Sequence, residues 1–117
     1  MRILIPVAAI VLAAVASSAA FAHAFLDHAE PRVGSTVPTA PREIVLVYSQ
    51  NLEAAFSSVE VSDSKGARVD LGKPRISAST MQVGLKPLPP GTYKVRWRVL
   101  SVDTHTSQGS FTFHVGQ

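Results

Sequence analysis

The chain has 117 residues, 46% of them hydrophobic, with 11 Lys and Arg against 8 Asp and Glu and no cysteine. This length suits one small domain rather than two, and a formal charge of +3 is too mild to argue for a nucleic-acid partner. The absence of thiols excludes disulfides and the thiolate ligands usual for copper(I) and structural zinc, leaving imidazole, carboxylate and amine as donors.

Residues 1–22 have the form of a secretory signal. Arg2 supplies the positive start, Ile3 to Val15 is an apolar run interrupted by Pro6, and Ser17 to Ala22 is a small-residue stretch ending in A-x-A. The apolar core falls short of the roughly 18 to 20 residues that cross a bilayer, and no second apolar run follows. No transmembrane segment is therefore expected after cleavage. Cutting after Ala22 leaves 95 residues beginning at His23, with a formal charge of +2 once Arg2 is gone. Ala22-His23-Ala24 fits the same rule, and a cut there would begin the chain at Phe25.

The remainder predicts an all-β domain, because short period-two runs alternate with turn residues and no 3.6-residue period is sustained. Pro31, Gly34 and Pro38 punctuate the stretch up to Ala40. Glu43 to Tyr48 is apolar on both faces, as suits a central strand of a sandwich. Ser57 to Ser62 alternates through Val59 and Val61 into the turn Asp63-Ser64-Lys65-Gly66, after which Arg68 to Leu71 is expected to return as a hairpin. Thr80 to Leu85 places Met81, Val83 and Leu85 on one face, and Pro87 to Gly91 forms a turn. Thr92 to Val102 then carries Tyr93, Val95, Trp97 and Val99 on one side and Lys94, Arg96 and Arg98 on the other. Ser110 to Val115 turns Phe111, Phe113 and Val115 inward and Thr112 and His114 outward. About seven strands at such intervals predict a Greek-key β-sandwich or barrel, immunoglobulin-like or cupredoxin-like.

A mature His23 would offer an α-amine and an imidazole on one residue, a six-membered chelate that exists only after cleavage. Its candidate complement is Asp103-Thr104-His105: in an extended chain, residues i and i+2 project to one face about 7 Å apart. An amine, two imidazoles and a carboxylate suit square-planar or tetragonal copper(II). Taken alone, D-x-H also fits a solvated turn at a strand end. His28, beside Asp27, could join an amino-terminal site or simply be a surface histidine, and His114 is expected to face solvent. The Lys94, Arg96 and Arg98 stripe could contact an acidic partner or anionic lipid headgroups, or be a solvated sheet face. Trp97 is expected in the core, since it shares its face with Val95 and Val99.

Several blocks together resemble the copper-resistance protein CopC family over the whole mature chain. They are His23-Ala24-Phe25-Leu26, Ser35-Thr36-Val37, Tyr48-Ser49, Pro90-Gly91-Thr92-Tyr93-Lys94-Val95 with Trp97, and Ser101-Val102-Asp103-Thr104-His105 running to Ser110-Phe111-Thr112-Phe113 and Val115-Gly116-Gln117. The resemblance implies residues 23–117 as a periplasmic copper-binding domain of cupredoxin-like fold, with His23 and its α-amine, Asp103 and His105 as ligands of one copper(II) ion. It also implies an inner-membrane copper protein of the CopD type as a partner. Some relatives carry a methionine-rich loop that binds copper(I). Here the mature chain has only Met81, so no copper(I) methionine site is expected. Where some relatives place a glutamate after the Phe/Tyr-Ser pair, this chain has the weaker ligand Gln50, with Glu53 three residues on as a substitute or a plain turn residue.

Three functions from different classes are therefore expected of such residues. The first is capture, sequestration and delivery of copper(II), with no catalysis. The second is a copper redox enzyme using an amino-terminal histidine brace, disfavoured by the small fold and by a carboxylate that should hold copper(II) against reduction. The third is a metal-free interaction sandwich, which becomes the default if the chain begins at Phe25.

Overall fold

The computed structural model describes residues 25–116, so the signal segment and His23 lie outside the described residues. Eight strands form two four-stranded sheets. Sheet one contains β1 (Leu26–Glu30), β3 (Glu43–Tyr48), β6 (Thr80–Gly84) and β5 (Arg75–Ser77), in the order β1-β3-β6-β5. Sheet two contains β2 (Thr36–Val37), β8 (Thr106–Val115), β7 (Gly91–Leu100) and β4 (Ser58–Ser62), in the order β2-β8-β7-β4. All pairings are antiparallel except β2 with β8.

The period-two patterns set the layers. Tyr93, Val95, Trp97 and Val99 of β7 and Phe111, Phe113 and Val115 of β8 are buried, facing Ile44, Leu46 and Tyr48 of β3 and Met81 and Val83 of β6. Each such side chain contributes about 1.5–3 kcal/mol by leaving water. Val45 and Val47, on the other face of β3, are half-buried, in keeping with a strand flanked on both sides. Met81 is fully buried, its thioether committed to packing.

The strand count exceeds the expected seven because β1, β2 and β5 carry little pattern of their own. β1 buries only Ala29 and is bulged between Leu26 and His28. β2 is two residues long, stops at Val37 just before Pro38, and exists through its pairing with β8. The expected hairpin return at Arg68 to Leu71 does not form a strand. It makes isolated bridges at Arg68 and Asp70, and the Asp70 carboxylate itself accepts the Val61 N–H at 2.9 Å. β7 stops at Leu100 rather than Val102, and β8 begins four residues earlier than expected, at Thr106.

Candidate metal centre at one end of the sandwich

The strand ends Tyr48 and Leu100 and the start of β8 at Thr106 meet at one end of the molecule. Residues 51–53 fasten the two sheets there. Leu52 donates its N–H to the Ala78 carbonyl on the side of sheet one and forms a bridge with Ser101 on the side of sheet two. The Asn51 carbonyl accepts the Val102 N–H at 2.9 Å, and Glu53 N–H donates to the Leu100 carbonyl at 2.8 Å. Phe25, the first described residue, is tied to the same end, its carbonyl accepting the Ser49 N–H at 3.1 Å. Beneath this end lies an aromatic floor: Phe25 against Tyr48 at 5.8 Å between ring centroids, and Tyr48 edge-on to Trp97 at 5.4 Å. Trp97 is a core residue, as its face predicts. The buried Tyr48 hydroxyl has no hydrogen-bond partner among the described residues, and burial pushes its pKa far above the ordinary phenol value.

Asp103 and His105 lie in the turn joining β7 to β8. The expected extended i, i+2 geometry is corrected here: residues 102–104 turn, and Thr104 takes φ 73°, a left-handed conformation unusual for a β-branched residue. The turn nevertheless brings the two candidate ligands together. His105 Nδ1 is 3.4 Å from Asp103 Oδ1, with the side chains 80% and 48% exposed. Sparsely populated backbone of this kind costs about 1–3 kcal/mol and persists where neighbouring contacts over-determine it.

Those contacts centre on Ser101, which is fully buried. Its hydroxyl donates to Asp103 Oδ1, and its Oγ accepts the His105 N–H at 3.2 Å. Ser101 N–H donates to the His105 carbonyl and Thr104 N–H to the Ser101 carbonyl, both at 2.9 Å. The Ser101 hydrogen bond, outweighing slight desolvation and aided by the His105 ring, holds the Asp103 carboxyl below the usual carboxylate range. Near neutrality Asp103 is therefore an anionic oxygen donor, oriented by the supporting hydrogen bond that ligating carboxylates characteristically receive.

The role of Ser101 was not part of the sequence expectation, although a signal for it exists. It continues the odd-numbered inward series Tyr93, Val95, Trp97, Val99, so a hydroxyl falls where the pattern calls for an apolar residue.

The other candidates divide. Gln50 and Glu53 are exposed and belong to the same end as Asp103 and His105. His28 lies further down β1, its Nδ1 3.1 Å from Asp27 Oδ2, both side chains well exposed. His114 is half-buried on the outer side of β8, with Nδ1 2.9 Å from Thr92 Oγ1. Among the described residues no three His, Asp or Glu side chains converge as a metal site, and Asp103 with His105 supplies two donors.

Comparison with known proteins gives a coherent result. The family model described as CopC domain matches residues 26–116. Copper resistance protein C of Xanthomonas campestris pv. juglandis is 34% identical over 114 residues, covering 90% of this chain and 89% of that protein. The crystal structure of CopC from Methylosinus trichosporium OB3b superposes with a TM-score of 0.74 at 30% identity, covering 80% of this chain and 94% of that one. Copper transport protein CutJ of Bacillus subtilis is 32% identical over 101 residues, which are 83% of this chain but 19% of that protein.

Proposed function

This chain belongs to the CopC domain family, and we propose that it is a periplasmic copper(II)-binding protein that takes up one ion per chain, sequesters it and delivers it to a membrane partner. The family is one of copper resistance and transport, and the chain is not an enzyme. In the proposed maturation, residues 1–22 are removed as a secretory signal and the domain begins at His23. The amine and imidazole of His23, the Asp103 carboxylate and the His105 imidazole then form the donor set.

The observation that carries this is the Ser101-ordered turn, which sets an ionised carboxylate beside an exposed imidazole at the end of the sandwich that also holds Phe25, the first described residue. His23 is two positions before Phe25 in the sequence, a reach of at most about 7 Å. The donor chemistry fits copper(II): nitrogen and oxygen ligands without thiolate, with Met81 committed to the core. Gln50 and Glu53 are the further oxygen donors within the same end. Delivery is supported by CutJ, in which the matching segment is a fifth of a longer copper transport protein, and the CopD-type partner is what the family resemblance implies.

The test is copper(II) titration of the exported chain against a competing chelator. Asp103→Ala and His105→Ala should each lower affinity by orders of magnitude while the fold survives, because both side chains are exposed. Wild-type affinity in both variants would remove the site. Because the amine and imidazoles must lose protons to bind a metal, affinity should fall between pH 7 and pH 5.

A further inference from the structure

Sheet two has an outer face whose charge is not balanced locally. β7 is interior to that sheet, between β4 and β8, and presents Lys94, Arg96 and Arg98 to solvent at alternate positions. Their cross-strand neighbours are mostly neutral: Ser58 and Gln108 flank Arg98, Ser62 and Thr112 flank Lys94, and Ser110 lies beside Arg96. Glu60, on the other side of Arg96, is the one carboxylate in these rows, and its Oε2 lies 3.8 Å from Arg68 Nη1. Among the described residues Lys94, Arg96 and Arg98 make no ion pair. The face is also recessed. Ser58 and Ser110 have short side chains, leaving a hollow of about 520 Å³ bounded by Glu60, Arg96, Arg98 and Gln108.

We propose that this recessed basic face of β4, β7 and β8 is a docking surface for an extended acidic segment of a protein partner. Alternate residues of a strand repeat about every 7 Å, so the three cations form a single file whose spacing matches carboxylates at alternate positions of an extended chain. The neutral hydroxyl and amide groups on either side supply hydrogen bonds without competing for the charge. A membrane surface fits less well. A planar headgroup layer does not enter a hollow, and among the described residues the exposed large apolar ones, Val33, Phe56, Leu71 and Val102, lie outside these strands. β7 runs directly into the Ser101–His105 turn, so a segment lying along Lys94 to Arg98 ends next to that turn. The docking itself does not require copper.

The test uses the exported chain, metal-free in EDTA, and a fluorescein-labelled (Glu-Ser)6 peptide followed by anisotropy in 20 mM and 150 mM salt. The wild type should bind, more weakly at the higher salt. Arg96→Ser with Arg98→Ser should weaken binding at least about fivefold. Arg42→Ser with Lys73→Ser removes the same charge from outside this face and should change binding less than about twofold. Arg96→Glu with Arg98→Glu should prefer a (Lys-Ser)6 peptide, which guards against reading a misfolded variant as a lost contact. Equal losses in the two serine double variants, no binding by the wild type at low salt, or binding to phosphatidylglycerol vesicles without binding to the peptide would each overturn the proposal.

Discussion

Gly109→Ala should be sharply destabilising, although alanine is ordinarily the better strand residue. Gly109 pairs with Trp97 across β7 and β8, and a Cβ added there would lie 2.7 Å from Trp97 Cζ2 and 3.1 Å from Cε2. Non-bonded carbons rest at about 3.5–4.0 Å, so the overlap approaches 1 Å. Trp97 has little room to retreat, being 3% exposed and edge-on to Tyr48 at 5.4 Å. Overpacking of this kind costs about 1–3 kcal/mol. For a domain of this size each kcal/mol moves Tm by about 4–8 °C, so the variant should melt roughly 4–24 °C below wild type by circular dichroism or calorimetry. Trp97→Phe withdraws the larger ring, at its own cost in lost packing. In that background Gly109→Ala should cost about 1 kcal/mol less than it does alone. A Gly109→Ala protein that melts with the wild type, or a double variant whose losses simply add, would refute the packing described for these two residues.

Ser101→Ala should leave the sheets intact but release the turn. The Asp103 carboxyl should then titrate closer to the ordinary carboxylate value in a 13C-detected pH titration, and copper(II) affinity should fall; an unchanged Asp103 titration would remove Ser101 as the ordering group. Asp70→Ala strands the buried Val61 N–H and removes the carboxylate that accepts Arg68 Nε at 2.8 Å and Nη2 at 2.9 Å. The expected loss is about 1–3 kcal/mol, below that of a fully buried pair because Arg68 is half exposed and rehydrates. Burial raises the Asp70 pKa, but Arg68 and the backbone N–H groups outweigh it and leave the group below its ordinary value. Its stabilisation is therefore present above the unfolded-state pKa of about 4 and is lost as pH falls through the lower folded value. Urea unfolding should accordingly show a wild-type advantage over Asp70→Ala at pH 6 that shrinks toward pH 3.

What the sequence made legible follows from which residues carry their own pattern. β7 and the later half of β8 alternate strongly because their inward positions form the core, so Trp97 and Phe113 could be placed from spacing alone, whereas β3 is apolar on both faces and only the structure shows that Ile44, Leu46 and Tyr48 point inward. β1, β2 and β5 are short and are defined by what they pair with, which a linear pattern does not record. Asp103 and His105 were legible as a candidate pair. Their geometry was not, because a turn with Thr104 at positive φ is fixed by the Ser101 hydroxyl and by the fastening of residues 51–53 across the end of the sandwich. The supporting role of Ser101 becomes visible only when its inward parity is combined with its complete burial.

The most direct test of the copper site compares two forms of the exported domain, one beginning at His23 and one at Phe25, each verified by intact mass and titrated with copper(II). The form beginning at His23 should bind one ion per chain, with nitrogen hyperfine coupling from its amine and imidazoles in the electron paramagnetic resonance spectrum. The form beginning at Phe25 should bind orders of magnitude more weakly. Equal affinity in the two forms would contradict a site built on the mature amino terminus.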